Sequence, residues 1–462
     1  MLGATKKGRC AVSYAVPTLK RTAFSTSRLL DFVSEKELTL QCGYGRHDWA
    51  LVVVKELVDN ALDACEEQGI APEITVTIDE ASITVSDNGM GIPPDVVDRL
   101  LDFSILVSSR EAYVAPDRGA QGNALKTIVA MPFVIDGEEG RVDICGGGIL
   151  NEIAFSVDRI AQRPVADVTR SEKNGSLVRV NWPAVTSFDH PDGRPFLQER
   201  DGTHLGWLAQ GFAFLNPHLT LTIVSFGTTW TFEATDPTWA KWRPSSPTCP
   251  HWYEPEHLER LLGAYITHDR QAGATVERTV REFVSEFKGL TATAKQKTVL
   301  AATGLAREPL SALLTPDGRD FDHDRVKQLL AVMKEQAKPV RPVTLGAIGR
   351  AHIAARFEQI GIITESFEYR KISTLDDGLP QVTEVAFAAL DDHDAERQLF
   401  TGVNWSAAWV NPFRQLGGYG RSLDTMLTQQ RFDQDQPVAV LVHVAHPRVQ
   451  YADRGKSTVL AR

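Results

Sequence analysis

The stretch between His47 and Gly69 constrains the fold more than any other part of the chain. Apolar residues recur there at spacings of three and four, from Leu51 to Cys65, which predicts an amphipathic helix. Asp48 is a suitable N-cap and Gly69 a suitable stop. A helix with one apolar face must bury that face, so the sequence predicts that it packs on another layer of structure.

Strand-like runs that alternate apolar and polar residues follow this helix. The first two are Glu73–Ile78 and Ser82–Ser86, and they lead into the loop Asp87–Gly91 and a short helix from about Pro94 to Leu101. Further strand-like runs share the alternation: Phe133–Ile135, Arg141–Cys145, Asn151–Val157 and Ser176–Trp182. Together they predict a two-layer α/β sandwich that reaches to about residue 235.

The chain has 462 residues, which is more than one hydrophobic core usually holds and suggests about three domains. Pro and Trp cluster at 236–252, as in a linker. Four helical stretches then predict a small helical domain: 254–266, 276–288, 293–303 and 321–338. Strand-like runs return at Val382–Ala389 and Val438–Val444, with a helix near Gly420–Gln430, which predicts a second α/β unit.

The first 30 residues contain no acidic residue and six Lys or Arg. This composition fits a flexible basic arm, and it also fits an organelle transit peptide, which is rich in Arg and Ser. Residues 104–124 are rich in Ser, Arg and Gly, which predicts a mobile segment.

Charge and cysteine usage limit the possible partners and compartments. The net charge of −10 argues against a surface coated in basic side chains, although a local basic strip remains possible. The five cysteines lack CxxC pairing, which favours a reducing, cytoplasmic location. No stretch approaches the roughly 20 apolar residues that span a bilayer, so no membrane is expected.

Three polar residues of the first helix, Glu56, Asn60 and Asp63, are spaced by four and three and therefore share one face. Glu56 can polarise a water molecule, and the amide oxygen of Asn60 is a hard ligand suited to Mg²⁺. Asp63 can orient a neighbouring group. Taken alone, such a trio is also typical of a solvated helix face.

Two glycine-bearing loops add to this trio. A buried Asp87 can accept a hydrogen bond from an adenine amino group, while Gly89 and Gly91 let the backbone approach a ligand. Gly119-Ala120-Gln121-Gly122-Asn123-Ala124 can aim backbone N–H groups at phosphates. Each loop alone is also consistent with an ordinary turn.

In this order the motifs resemble the GHKL (Bergerat-fold) ATPase superfamily of gyrase B, histidine kinases and MutL. The run Val54–Glu66 resembles the B component of type IIB DNA topoisomerase, topoisomerase VI. The resemblance implies the following roles: Glu56 as catalytic glutamate, Asn60 as Mg²⁺ ligand, Asp63 in the cofactor site, Asp87 with Gly89 and Gly91 as the adenine site, residues 119–123 as the phosphate lid, and Ser176 in place of a threonine late in the sheet.

The resemblance continues beyond the ATPase region. Residues 283–304 resemble the helix–two-turns–helix insert of that topoisomerase component, and Val442–Lys456 resembles the transducer loop that carries a switch lysine. By this likeness Lys456 would contact the γ-phosphate of ATP. The implied α+β architecture comprises a basic arm at 1–28, a Bergerat-fold ATPase domain at 29–236, a helix–two-turns–helix domain at 250–339 and a transducer-like domain at 340–462.

The implied function is that of an ATP-hydrolysing subunit that requires Mg²⁺ and dimerises on binding ATP. A DNA-cleaving A-type subunit and duplex DNA would be its partners, and dimerisation would gate DNA passage. Three lysines of the helical insert are candidates for DNA contact, although they also fit a solvated helix face: Lys288, Lys295 and Lys297.

Two departures keep other functions open. The lid has Ala124 where the family often has glycine, so nucleotide binding without hydrolysis is one alternative. The sequence stops six residues after Lys456, where the topoisomerase component continues into a stalk. A freestanding ATP-dependent clamp for DNA repair or defence is therefore a second alternative. A sensor histidine kinase is a poor fit because no histidine precedes His47.

Overall fold

The computed structural model describes residues 33–103, 113–118, 124–183, 204–243, 245–271, 277–417, 421–452 and 456–461. The predicted basic arm at 1–28 and most of the predicted mobile segment at 104–124 lie outside these ranges.

Helices and strands of the N-terminal part form one sheet with helices packed on it. The helices are α1 (Glu35–Cys42), α2 (Trp49–Gln68), α3 (Pro94–Leu100), α4 (Ala124–Asp136) and α5 (His204–Leu215). The strands are β1 (Glu73–Ile78), β2 (Ser82–Asp87), β3 (Gly140–Gly146), β4 (Ile149–Asp158), β5 (Arg163–Glu172), β6 (Ser176–Asn181), β7 (Thr220–Ser225) and β8 (Thr228–Phe232).

The eight strands follow the order β5-β4-β3-β6-β2-β1-β7-β8, and α2, α4 and α5 pack against them. The β1–β7 pair is parallel, and the other neighbouring pairs are antiparallel. Helix α2 ends at Gly69, which adopts the left-handed conformation (φ 71°) that glycine tolerates at a C-cap. The long helix and the strand pair predicted after it are therefore confirmed within a mixed α+β fold.

One predicted strand is wrong. Residues Phe133–Ile135 form the last turn of α4 rather than a strand. The run from Ala124 to Asp136 is apolar almost throughout, and Ile128, Val129 and Met131 are buried. Short apolar runs fit a buried strand and a buried helix equally well, and here the packing of α4 on β3 selects the helix.

The middle of the chain is helical. It contains α6 (Pro255–Gln271), α7 (Val280–Ser285), α8 (Thr293–Thr303) and α9 (His323–Gln336). A reciprocal capping box starts α7, because Thr279 and Glu282 bond each other's backbone N–H groups. The bounds of α8 match the predicted stretch 293–303, whereas those of the other three helices differ from the predicted ends by one to five residues.

The C-terminal part is a second sheet with two helices. It contains α10 (Arg350–Gln359), β9 (Glu368–Asp376), β10 (Leu379–Ala389), β11 (Gln398–Val403), β12 (Ser406–Ala408), β13 (Gln415–Leu416), α11 (Leu423–Gln429), β14 (Val438–Ala445) and β15 (Leu460–Ala461). Five of these strands form a sheet in the order β12-β11-β14-β10-β9. None of the helices within the described ranges combines the length and the hydropathy needed to cross a bilayer.

Aromatic side chains join the two sheets through a shared core. Phe214 of α5 stacks on Phe400 of β11 with ring centroids 4.4 Å apart, and it meets Phe357 of α10 edge-on at 5.5 Å. Phe214 and Phe357 are almost completely buried. The N-terminal sheet and the C-terminal sheet are therefore packed against each other through apolar contacts, with α5 between them.

A buried carboxylate fixes the C-terminal sheet internally. Glu384 of β10 accepts hydrogen bonds from the Tyr369 hydroxyl at 2.7 Å and from two backbone N–H groups at 348–349, each at 2.9 Å. His443 of β14 lies 3.3 Å away through Nδ1, and its Nε2 accepts from the backbone N–H of Trp405 at 3.2 Å. Burial acts to raise the pKa of Glu384, but these hydrogen bonds outweigh it and lower the pKa to about 2.

Replacing Phe214 by Ala should test the shared core. We expect the free energy of unfolding to fall by about 3–5 kcal/mol, because the change leaves a cavity between two packed elements. Urea unfolding followed by tryptophan fluorescence measures this. Ile160→Ala is the control, since Ile160 is 97% exposed and its loss should change little. Equal effects of the two substitutions would contradict the shared core.

The Glu384 carboxylate should make stability depend on pH in the acid range. Its folded pKa of about 2 lies below the ordinary value of 4.5, so its stabilisation is complete above pH 4.5 and is lost as pH falls towards 2. Glu384→Gln should lose on the order of 3 kcal/mol at neutral pH and show a flatter acid limb. Urea unfolding from pH 2 to pH 7 measures this, with Glu368→Gln on an exposed position as control. Parallel pH curves for wild type and Glu384→Gln would refute it.

Candidate functional site

The solvent-accessible side of α2 carries two of the three predicted residues. Glu56 is half-buried and Asn60 is exposed, and both follow the buried stretch Trp49–Val54 along the helix. The Nζ of Lys55 lies 3.3 Å from Oε1 of Glu56. A carboxylate and an amide one helical turn apart can therefore act on the same bound molecule.

Asp87, at the end of β2, is held from two sides. Its Oδ2 accepts a hydrogen bond from the Ser176 hydroxyl at 2.6 Å, and its Oδ1 accepts from the backbone N–H of Gly89 at 2.8 Å. Asp87 and Ser176 face each other in the register of the antiparallel β2–β6 pair. The structure thus brings together two residues that are 89 positions apart and that the sequence assigned to one site.

The two glycines of the Asp87 loop are required by its geometry. Gly91 has a φ of 68°, and a Cβ there would lie 2.5 Å from the carbonyl oxygen of Cys145. A Cβ at Gly89 would lie 2.8 Å from Oδ1 of Asp87. The loop therefore sits close against the end of β3, and larger residues would displace it.

Asp63 differs from the other two residues of the trio in its surroundings. It shares the helix face of Glu56 but is buried, and its Oδ1 accepts from Nη1 of Arg118 at 2.7 Å. Arg118 also donates to both oxygens of Glu66, at 2.7 and 2.9 Å, and to Oδ1 of Asn216 at 2.5 Å. The role of Asp63 in cofactor binding stays a prediction, while the structure shows Asp63 in an ion pair with Arg118.

Glu66 also contacts two further basic side chains, Lys241 and His218. Nζ of Lys241 lies 2.7 Å from its Oε2, and Nε2 of His218 lies 3.0 Å from its Oε1. Burial acts to raise the pKa of Glu66, but Arg118 and Lys241 hold it well below its ordinary value. For Arg118, the carboxylates outweigh burial and raise the pKa. We call Asp63, Glu66, Arg118, His218 and Lys241 the ion cluster.

The ion cluster was not predicted from the sequence, although the spacing of the carboxylates on α2 indicates it. Asp59, Asp63 and Glu66 follow spacings of four and three, which puts three carboxylates in one row along α2, beside Glu56. A buried row of carboxylates needs basic partners. Their identity could not be read from the sequence, because Arg118 and Lys241 are far from α2 along the chain.

The predicted phosphate lid lies largely outside the described residues. Gly119, Ala120, Gln121, Gly122 and Asn123 fall in this part of the chain, so their roles stay predictions. The described neighbours of the lid are the buried Arg118 on one side and Ala124, the first residue of α4, on the other.

Lys456 interacts electrostatically with charged residues of α2, although almost the whole chain separates it from that helix. Burial lowers its pKa, and the charge that opposes this most strongly is that of Glu56. Lys55 and Asp117 also act on its ammonium group. The structure thus brings Lys456 near Glu56, as the predicted switch role requires, while contact with a nucleotide stays a prediction.

The three lysines suggested for DNA contact differ in their surroundings. Lys288 lies over the ring of Trp242 with its Nζ 4.8 Å from the centroid. Lys295 donates to the carbonyl oxygen of Gly289 at 2.9 Å, and Lys297 is exposed. Local contacts therefore hold two of them, and Lys297 is the one placed on an open helix surface.

Comparison with known proteins gives a family match over the region that contains this site. Residues 45–149 match the family model described as histidine kinase-, DNA gyrase B-, and HSP90-like ATPase. This span includes Glu56, Asn60, Asp63, Asp87 and the predicted lid.

Relatives extend the likeness along the chain. The B component of type 2 DNA topoisomerase 6 from Archaeoglobus fulgidus is 26% identical over 447 residues, which cover 91% of this chain and 68% of that protein. Its counterpart from Pyrococcus horikoshii is 27% identical over 37% of this chain and 30% of that protein.

Among solved structures, DNA gyrase B from Myxococcus xanthus is 13% identical, with a TM-score of 0.40, and the match covers 94% of this chain and 91% of that one. The family match at residues 45–149 identifies an ATPase domain in the N-terminal part. This domain is of the GHKL type, and the chain that carries it is similar over most of its length to the B component of type 2 DNA topoisomerase 6.

Proposed function

We propose that this ATPase is the ATP-binding and ATP-hydrolysing subunit of a type IIB topoisomerase-like complex, in which ATP-driven dimerisation gates the passage of DNA. The observation that carries the proposal is that α2 is shared: Oδ1 of Asp87 lies 3.9 Å from Sγ of Cys65 on this helix, and the charge of Glu56 on the same helix acts on Lys456. Residues from both ends of the chain meet there, so a bound nucleotide would contact two domains.

Asp87 is suited to recognise the base. Its two oxygens are oriented by the Ser176 hydroxyl and the Gly89 N–H, and a carboxylate has lone pairs to spare for a further donor. An adenine amino group is such a donor, whereas a guanine presents a carbonyl oxygen at the equivalent position. The pair Asp87–Ser176 therefore favours ATP.

Glu56 and Lys456 are suited to act at the other end of the nucleotide. Glu56 is half-buried, so it can accept a proton from an attacking water or orient that water. The Lys456 ammonium interacts electrostatically with Glu56 and can stabilise charge that develops on the γ-phosphate. Phosphoryl transfer depends mainly on positioning and charge neutralisation, which these two residues can supply.

Asn60 fits the role of Mg²⁺ ligand. Its side chain is exposed one turn from Glu56, and an amide oxygen is a hard donor of the kind Mg²⁺ accepts. Mg²⁺ usually takes one or two protein ligands together with phosphate oxygens, so a single amide is sufficient. When bound, the ion would neutralise phosphate charge.

The partners follow from the likeness to a topoisomerase component. A DNA-cleaving A-type subunit and duplex DNA are expected, because the similar proteins are named as subunits of a DNA topoisomerase. Lys297 is the foremost candidate for a local contact with DNA, since it lies exposed on α8. Copurification with an A-type subunit would support the complex, and a freestanding ATP-dependent clamp would purify without it.

Asp87→Asn should weaken nucleotide binding. The change removes the charge that accepts the amino group, which should raise the Kd for ATP by roughly tenfold or more. Isothermal titration calorimetry with a non-hydrolysable ATP analogue measures it. Asp95→Asn is the control, because Asp95 is exposed on α3. An unchanged Kd for Asp87→Asn would contradict the assignment of the base site.

Glu56→Ala should abolish turnover without preventing binding. Loss of a general base typically lowers the rate by about 10²–10⁴-fold, so the variant should accumulate as an ATP-bound dimer. Phosphate release with and without duplex DNA measures turnover, and light scattering measures dimerisation. Glu67→Ala, on an exposed position of the same helix, should behave as wild type. A wild-type protein that stays monomeric with the analogue would refute the gating mechanism.

A further inference from the structure

A strained turn marks the place where the C-terminal sheet meets α2. Val403 and Ser406 pair at the ends of β11 and β12, so Asn404 and Trp405 form a two-residue hairpin turn. Both have positive φ angles, 50° and 64°. Asparagine tolerates this conformation, whereas a tryptophan there is uncommon and costs about 1–3 kcal/mol. The surrounding contacts must therefore stabilise the turn.

The turn docks into the ATPase domain through hydrogen bonds. Asn404 donates to the carbonyl oxygen of Asp117 at 3.2 Å. The carbonyl oxygen of Trp405 accepts from Nδ2 of Asn216 at 3.0 Å. The hydroxyl of Ser406 donates to Oδ2 of Asp59 at 2.7 Å. These contacts are buried, so each bond replaces one that water can no longer make.

Asp59 connects Ser406 to Lys55 and, through Lys55, to Glu56 on α2. The same oxygen that accepts from Ser406 accepts from Nζ of Lys55 at 2.8 Å. Nζ of Lys55 in turn lies 3.3 Å from Oε1 of Glu56. Burial acts to lower the pKa of Lys55, but the carboxylates of Asp59 and Glu56 outweigh it and raise the pKa. Lys55 is therefore charged and held between two carboxylates.

We infer that Ser406 and Asp59 are positioning residues, which hold Lys55 against Glu56 so that the C-terminal domain sets the geometry of the catalytic carboxylate. This inference rests on the proposed role of Glu56. A half-exposed glutamate has several rotamers, and a fixed ammonium at 3.3 Å restricts the choice. Displacement of the turn would free Lys55 and thereby lower the rate of hydrolysis.

Ser406→Ala and Ser406→Thr form a matched pair for the test. The alanine variant loses the hydroxyl on Asp59, so its kcat for ATP hydrolysis should fall about three- to tenfold, while KM and the Kd for a non-hydrolysable analogue stay within about twofold. The threonine variant keeps a hydroxyl and should retain most of the wild-type kcat. Ser373→Ala, on an exposed position of β9, is the control.

A double-mutant cycle with Asp59→Asn tests whether the two residues act through each other. Asp59→Asn keeps the shape of the side chain and an acceptor oxygen but removes the charge that holds Lys55. If Ser406 acts through Asp59, adding Ser406→Ala to this variant should lower kcat by less than it does in the wild type. Thermal unfolding of each variant shows that the rates refer to folded protein.

Three outcomes would overturn the inference. A wild-type kcat in both Ser406→Ala and Asp59→Asn would exclude any positioning effect. Additive losses of kcat in the double variant would show that Ser406 and Asp59 act independently. If Glu56→Ala hydrolyses ATP at the wild-type rate, the proposed function itself fails, and the inference fails with it. The first two results leave the proposed function intact, so the two failures are distinguishable.

Discussion

The buried guanidinium of Arg118 is the interaction on which the rest of the structure depends. It neutralises Asp63 and Glu66 of α2, and it also contacts Asn216 after α5. Three carboxylates on one buried helix face would repel each other without a cation. The same contact fixes α2 to Arg118, the residue that precedes the predicted lid in the sequence.

The contacts of the C-terminal sheet reach α2 from the same side. The turn at Asn404–Trp405 borders the ion cluster, since Nζ of Lys241 lies 4.9 Å from the centroid of the Trp405 ring. Glu384 is linked to this turn through His443: Nδ1 of His443 faces Glu384, and Nε2 accepts the backbone N–H of Trp405. The helix that carries Glu56 is thus held by fixed charges from other parts of the chain, while Asn60 on the same helix remains exposed.

The parts of the fold and site that could be predicted are those whose residues are near each other in sequence or match a known order of motifs. The apolar spacing of α2 and the alternation of β1 and β2 predicted those elements directly. Phe133–Ile135 was misassigned because a short apolar run carries no period that distinguishes a strand from a helix end. Arg118, Lys241 and Ser406 could not be predicted as partners of α2, since only tertiary packing brings them there.

The pairing of Asp87 with Ser176 gives the proposed nucleotide site a thermodynamic link to strand assembly. Both residues lie on adjacent strands, and a slip of one position would place Leu177 opposite Asp87 and turn the Ser176 hydroxyl to the other face of the sheet. A ligand that requires this hydrogen bond binds only the sheet with the correct strand register. ATP would therefore act on this sheet as a folding ligand, whose concentration in the cell adds to the stability of one strand alignment over its neighbours.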